Sequence, residues 1–113
     1  MLARKYRFHS RGGVRSTYQT GKTIREAKLS LVFAENTRKK QRFAVVVSKK
    51  VLKSAVGRNR IRRRVYEALR LEHSHIEDPV DCIFVVYSKD VATMPFMELR
   101  NLIRKLLAEA QIN

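Results

Sequence analysis

Between Glu35 and Glu67 the chain has no acidic residue, yet that stretch carries Arg38, Lys39, Lys40, Arg42, Lys49, Lys50, Lys53 and five arginines from Arg58 to Arg64. Such a segment cannot neutralise itself. Any compact fold must turn these cations outward on one side, and their mutual repulsion destabilises it unless something anionic lies against them. The same stretch contains the apolar run Phe43-Ala44-Val45-Val46-Val47, so it must also supply core. The imbalance extends to the whole N-terminal part. Residues 1–64 hold 20 basic residues against Glu26 and Glu35, a charge of +18, and residues 65–113 hold five bases and eight acids, a charge of −3. A merely solubilising surface mixes both signs. Segregation of this kind is the footprint of a nucleic-acid partner. A membrane surface fits less well, because it calls for an amphipathic basic helix with exposed Leu, Phe or Trp, and the chain has no Trp.

With 113 residues the chain is expected to form one domain, 1–113, preceded within it by a basic N-terminal arm over 1–13. No apolar run approaches the roughly 20 residues that span a bilayer. The segment MLARKYRFHSRGG has no apolar core behind its charges, so it does not read as a secretory signal. The lone Cys82 sits in an apolar run and reads as a buried, inert thiol. These features suit a reducing cytoplasm.

Periodicity predicts the elements. Gly12-Gly13 breaks the arm, and a short helix follows over Val14–Gln19, with Val14, Thr17 and Tyr18 on one face and Gly21 as its stop. A strand spans Lys28–Ala34, with Leu29, Leu31 and Phe33 facing one way and Ser30 and Val32 the other. Asn36 to Lys40 is a polar turn, and Gln41–Ser48 is a strand buried on both faces; the turn suggests an antiparallel pair. A helix over Ala55–Glu72 has the stripe Ile61, Val65, Ala68 and Leu69, with Asn59, Arg63, Tyr66 and Arg70 on the far side. Ser74–Pro79 is a loop and Asp81–Ser88 a nearly all-apolar strand. Thr93 or Met94 caps a last helix with Pro95 in its first turn and Phe96, Leu99, Leu102, Ile103, Leu106, Leu107 and Ala110 as its core face. The order is α-β-β-α-β-α, with room for one more short strand near 22–27: an α+β fold with a small, mostly antiparallel sheet and helices packed on it. Gln41 to Ser88 reads as a parallel strand–helix–strand crossover.

The densest signal runs Ser48-Lys49-Lys50-Val51-Leu52-Lys53-Ser54-Ala55-Val56-Gly57-Arg58-Asn59-Arg60-Ile61-Arg62-Arg63-Arg64. A strand ends, a basic loop follows, and a helix opens with clustered arginines. Arginine suits phosphate because its planar fork donates two parallel hydrogen bonds and stays charged. The helix N-terminus adds its dipole and free N–H groups. A solvated helix face is the bland alternative, but such faces intersperse Glu with Arg.

This run, SKK followed by AVGRNRIRRR, resembles the signature of the bacterial ribonuclease P protein component, and the likeness extends through the length, the element order and the basic arm before an aromatic-bearing helix. The resemblance implies a subunit of a ribonucleoprotein endonuclease that removes the 5′ leader of precursor tRNA. In that family a large RNA is the catalyst, with bound magnesium ions; none is implied on the protein alone, and no obligate protein partner is evident. It further implies a left-handed β-α-β crossover at the Arg-Asn-Arg helix, where general rules favour the right hand. Lys49, Lys50, Lys53, Arg58, Asn59, Arg60, Arg62 and Arg63 match the motif that binds the catalytic RNA. Tyr18, Val14, Val32, Phe8 and Lys89 fall at or near the cleft that holds the leader. Tyr18 could stack on unpaired bases or simply pack in the core. Val14 stands where the family often has Phe, which shrinks the expected aromatic platform.

Protein-based catalysis has little support. His73 and His75 near Glu77 and Asp78 could hold a metal but read as a solvated loop; His9 could serve as a general base but more plainly contacts RNA or idles. The basic stretch has no paired carboxylates for a two-metal nuclease and no P-loop. The rival readings are a ribosomal-type structured-RNA-binding protein and a protein-only nuclease.

Overall fold

The computed structural model describes residues 2–8, 11–36, 40–76 and 79–111. Its regular elements are helix α1 (Arg11–Thr20), strands β1 (Lys22–Arg25), β2 (Leu29–Glu35) and β3 (Arg42–Val47), helix α2 (Ala55–Glu72), strand β4 (Val80–Val86) and helix α3 (Phe96–Glu109), with 3-10 turns at Arg4–Tyr6, His73–His75 and Lys89–Ala92.

α2 starts where its sequence says it should. The Ser54 side chain accepts a hydrogen bond from the Gly57 N–H at 3.1 Å, satisfying one orphan donor of the first turn. Ile61, Val65, Ala68 and Leu69 are buried as the stripe requires. Tyr66 is buried too, against expectation. The flank that a helical wheel assigns to solvent here meets strand β3, whose Val45 backbone hydrogen-bonds the Tyr66 hydroxyl. α1 also differs. It begins at Arg11 and runs through Gly12-Gly13, which were expected to break the chain. Neither glycine has positive φ, so the pair accepts helical geometry despite its poor propensity. The helix stops at Gly21, where a Cβ would lie 2.4 Å from the Thr17 carbonyl oxygen and 2.7 Å from that of Phe33. Only glycine allows that approach. At α3, Pro95 is the residue before the helix rather than part of its first turn, and neither Thr93 nor Met94 caps it; the Thr93 N–H instead closes the preceding turn on Asp90 O at 3.1 Å.

The four strands form one mixed sheet in the order β1-β2-β4-β3. β1 pairs antiparallel with β2, and β2 antiparallel with β4. β3 pairs parallel with β4, completing the β3–α2–β4 crossover. The expected antiparallel pairing of β2 with β3 does not occur, because β4 lies between them. β4 is the strand most completely buried on both faces, and a strand with no polar face belongs at the centre of a sheet. The connection over 36–40 therefore spans a strand's width. Asn36 anchors its start, with the side chain donating to Lys40 O at 3.1 Å and Asp81 Oδ1 at 2.8 Å. Thr37, Arg38 and Lys39 of the expected turn lie outside the described residues.

The two sheet faces carry unequal cores. Leu29, Leu31, Phe43, Val45, Val47, Cys82, Phe84 and Val86 meet α2 and α3 on one face, with Leu99, Ile103, Leu106 and Leu107 opposite. Burial pushes the Cys82 thiol far up, so it stays protonated and unreactive. The other face holds a small cluster of Phe8, Val32, Ala44 and Ile83, with half-buried Val14, Val46 and Val85 packed against it. The start of the chain is drawn into both cores. Leu2 is buried in the large one, and Arg7 bridges Phe43 in parallel so that Phe8 N–H donates to Phe43 O at 3.0 Å. Residues 2–8 thus cover part of the free edge of β3, which would otherwise be open to pairing with another chain.

Candidate nucleic-acid interface

The loop before α2 is built by its own backbone and by Arg58. Val51 N–H donates to Ser48 O at 3.1 Å, and Arg58 Nη1 donates to Leu52 O at 2.9 Å and Lys53 O at 2.7 Å. That closes the loop against the helix and leaves Lys49, Lys50 and Lys53 exposed. Asn59 accepts from Arg62 Nη1 at 2.8 Å, fixing the orientation of that guanidinium. Arg60 Nε donates to Ala92 O at 2.9 Å. Arg64 Nη1 donates to Val91 O at 2.5 Å and its Nη2 to Met94 O. Burial, and then the charge of Arg60, hold the Arg64 pKa below its ordinary value. Arg63 is exposed.

The motif residues therefore do two things. Arg58, Arg60 and Arg64 each spend donors on backbone carbonyls, which locks the loop and the Lys89–Ala92 turn to α2. Arg60 is exposed, and a guanidinium carries five N–H donors, so an anchored Nε leaves a presented fork that loses little freedom on meeting phosphate. From Arg58 to Arg64 no arginine has a carboxylate partner among the described residues. The sequence reading missed the carbonyl anchors, since nothing in periodicity places residues 91–94 beside α2.

The expected leader-side residues lie on the opposite sheet face. Phe8 and Val32 are 4% and 5% exposed and form the floor of the small cluster; Val14 is half-buried over it. Arg42 lies over the Phe8 ring at 4.7 Å while pairing with Asp81, so that ring's face is taken. Tyr18 is 45% exposed, and Tyr87, which sequence reading did not single out, is 44% exposed. Burial first, and then Tyr87, raise the Tyr18 pKa, so both hydroxyls belong to one surface. Tyr87 directly follows β4 and its unbroken apolar run Cys82–Val86, and that position at a strand's mouth was the available signal. Lys89 is exposed on its turn.

The histidine loop is not simply solvated. His73 stacks against Tyr6 with ring centroids 4.5 Å apart, and its backbone carbonyl accepts from Gln41 Nε2 at 2.9 Å. Glu77, Asp78 and His9 lie outside the described residues. Among the described residues no group of three or more His, Cys, Asp or Glu gathers where a metal ion could sit, and no helix is long and apolar enough to cross a membrane.

A mixed four-stranded sheet with a cationic crossover helix on one flank and exposed tyrosines on the other defines an α+β polyanion-binding domain. The family described as Ribonuclease P matches residues 2–111. The ribonuclease P protein component of Roseiflexus castenholzii is 35% identical over 111 residues, covering 98% of this chain and 90% of the relative. That of Chloroflexus aurantiacus is 36% identical over 109 residues, covering 96% and 80%. The chain belongs to the ribonuclease P protein family, and is accordingly a protein subunit of that endoribonuclease ribonucleoprotein. The fold agrees. The Staphylococcus aureus RNase P protein superposes with a TM-score of 0.82 at 24% identity, covering 95% of this chain and 96% of that one. The Thermotoga maritima RNase P protein does so with a TM-score of 0.81 at 23% identity, covering 91% and 96%.

Proposed function

We propose that this protein performs two binding tasks in the ribonucleoprotein. Lys49, Lys50, Lys53, Arg58, Asn59, Arg60, Arg62 and Arg63 grip the catalytic RNA, and the surface of Tyr18 and Tyr87, floored by Val14, Val32 and Phe8 and edged by Lys89, receives the 5′ leader of precursor tRNA. The RNA carries out phosphodiester hydrolysis, and the protein raises substrate affinity over product and broadens the substrate range. The observation behind this reading is the arginine run of α2 with no carboxylate partner among the described residues. Glu67, which shares a groove with Arg60, Arg63 and Arg64, is already paired with Arg70, and the magnesium of the holoenzyme is taken to sit on the RNA. Cytoplasmic location follows from where precursor tRNA is processed in a bacterium.

The test is incubation of precursor tRNA with the protein alone, a bacterial ribonuclease P RNA alone, and both together at low magnesium. Stimulation by the protein, with no cleavage by protein alone, is the expected result. A protein that leaves RNA-catalysed cleavage unchanged is a structured-RNA binder without a processing role, and cleavage by protein alone makes it a nuclease in its own right.

A further inference from the structure

One pocket at the cationic face has more than phosphate recognition requires. It opens between α2, the free edge of β3 and the N-terminal segment, and encloses about 430 Å³. That volume falls in the range of sites for small organic ligands. Val45 and Val56 form apolar wall, Tyr66 contributes its ring, and Asn59, Arg62 and Arg7 supply the polar rim. Val56 is the outlier. It is 75% exposed on a helix whose other outward residues here are Asn and Arg. At the mouth of this pocket the bare valine offers a flat, partly apolar ligand a surface to lie against.

The polar groups of the rim are donors. The Asn59 oxygen is already taken by Arg62, which leaves its amide N–H₂. Arg62 and Arg7 can only donate, and the buried Arg7 Nε has no acceptor among the described residues. Arg7 also lies over the Tyr66 ring at 5.6 Å, so the segment carrying it is fixed at the pocket's edge. A pocket of apolar wall and unmatched donors selects a ring with adjacent acceptors. Among the bases, guanine presents two on its major-groove edge, N7 and O6, while adenine offers one acceptor and one donor and cytosine a donor there. Bases become available in this way when they are splayed out of single-stranded loops and bulges.

We infer that this pocket receives one unpaired guanine of the catalytic RNA, a contact that rests on the RNA-gripping role proposed above and adds a base-specific element to it. Val56 lies against the base above a floor of buried Val45 and Tyr66, and Asn59 and Arg62 read its N7 and O6. Arg63, at the rim, takes the adjoining phosphate.

The test uses the ribonucleoprotein reconstituted with a bacterial ribonuclease P RNA. Val56→Trp fills the pocket from an exposed position, and Val56→Ala trims its wall while favouring the helix. Affinity is measured across a salt series, and guanine N7 reactivity toward dimethyl sulfate is mapped along the RNA. The expected result is a loss of about tenfold for Val56→Trp and about threefold for Val56→Ala, with the salt slope unchanged because no phosphate contact is lost. One guanine protected by the wild-type protein becomes reactive with Val56→Trp. Unchanged affinity, no guanine released from protection, or a loss carried by a reduced salt slope overturns the guanine site while leaving the RNA-gripping role standing. Failure of the wild-type protein to bind this RNA better than a general polyanion overturns both.

Discussion

α2 and α3 lie side by side on the same sheet face, and both are rich in arginine, but their charges have opposite fates. On α3, Arg100 and Arg104 both reach Glu72, and Lys105 reaches Glu26 at 2.8 Å and Glu109 at 3.9 Å. Every basic side chain of that helix has a carboxylate. On α2, Arg58, Arg60, Arg62 and Arg64 find carbonyl and amide oxygens and, among the described residues, no carboxylate; such oxygens orient a guanidinium without cancelling its charge. The same residue type is thus neutralised within the fold on one helix and left with its charge uncancelled on its neighbour, as the proposed RNA contact requires. What decides between them is which bases the acids pair with: Glu67, which shares a groove with Arg63 and Arg64, is taken by Arg70. Glu72, at the end of α2 and 3% exposed, marks the frontier.

The largest expected effect is on the recognition side. Arg62→Ala with Arg63→Ala should weaken binding to the catalytic RNA by roughly 30- to 100-fold, for two lost charge-assisted contacts. The slope of log affinity on log salt should drop by about 1 to 2, and the thermal midpoint should hardly move. An affinity loss with an unchanged slope would break the comparison, because it would mean these arginines act through structure. The complementary change is Glu72→Gln. It removes the shared acid of Arg100 and Arg104, and should cost about 2 kcal/mol in denaturant unfolding, below the roughly 3–5 kcal/mol of a fully buried pair because Arg104 is half exposed. RNA affinity should fall less than threefold, and a parallel fall of both would show that the two helices do not divide the work. Tyr18→Ala tests the other sheet face. It should reduce the preference for precursor over mature tRNA by roughly fivefold, at the lower end of a base-stacking contribution, and leave binding of the catalytic RNA intact.

The smallest effect concerns pH. Burial first, and then Lys5, hold the His73 pKa below its ordinary 6.5. Protonation is therefore easier in the unfolded chain, so stability is full above about pH 6.5 and declines as pH falls from there toward the folded-state value. The stacked Tyr6–His73 contact should loosen first, seen as faster amide exchange in residues 2–8. His73→Phe should remove that dependence and leave the α2 salt slope unaltered.

Much of this was legible from the chain. α2 could be placed to its ends from the stripe of Ile61, Val65, Ala68 and Leu69; the Ser54 cap emerged only with the structure. The alternation in β2 assigned Leu31 and Val32 to opposite faces correctly, and the unmixed charge singled out the helix whose arginines from 58 to 64 lack carboxylate partners among the described residues. The pairing of β2 and β3 was misread, since adjacency of strands is set by which strand must be buried on both faces and not by proximity along the chain. Tyr66 was placed in solvent because a helical wheel knows one packing partner, and α2 has a second in the edge of β3. The anchoring of Arg60 and Arg64 on residues 91–94 was invisible, as carbonyl acceptors leave no trace in side-chain pattern. Arg100 and Arg104 do share a face at i,i+4 spacing, but only the helix crossing reveals that Glu72 lies beneath them.

The sheet order also governs how the chain comes into being. Synthesis runs from the N-terminus, and domains fold as their parts emerge. β4 is the last of the four strands to be made, yet it separates β2 from β3 and bonds to both. Until residues 80–86 leave the ribosome, the sheet has no middle and Arg42 lacks its partner Asp81. Throughout that interval the nascent chain is a polycation emerging beside ribosomal RNA, with the arginine run of α2 translated before the strand that completes its crossover. Completion of β4 gives the sheet its centre, so the crossover that positions α2 closes only after residues 80–86 have been made.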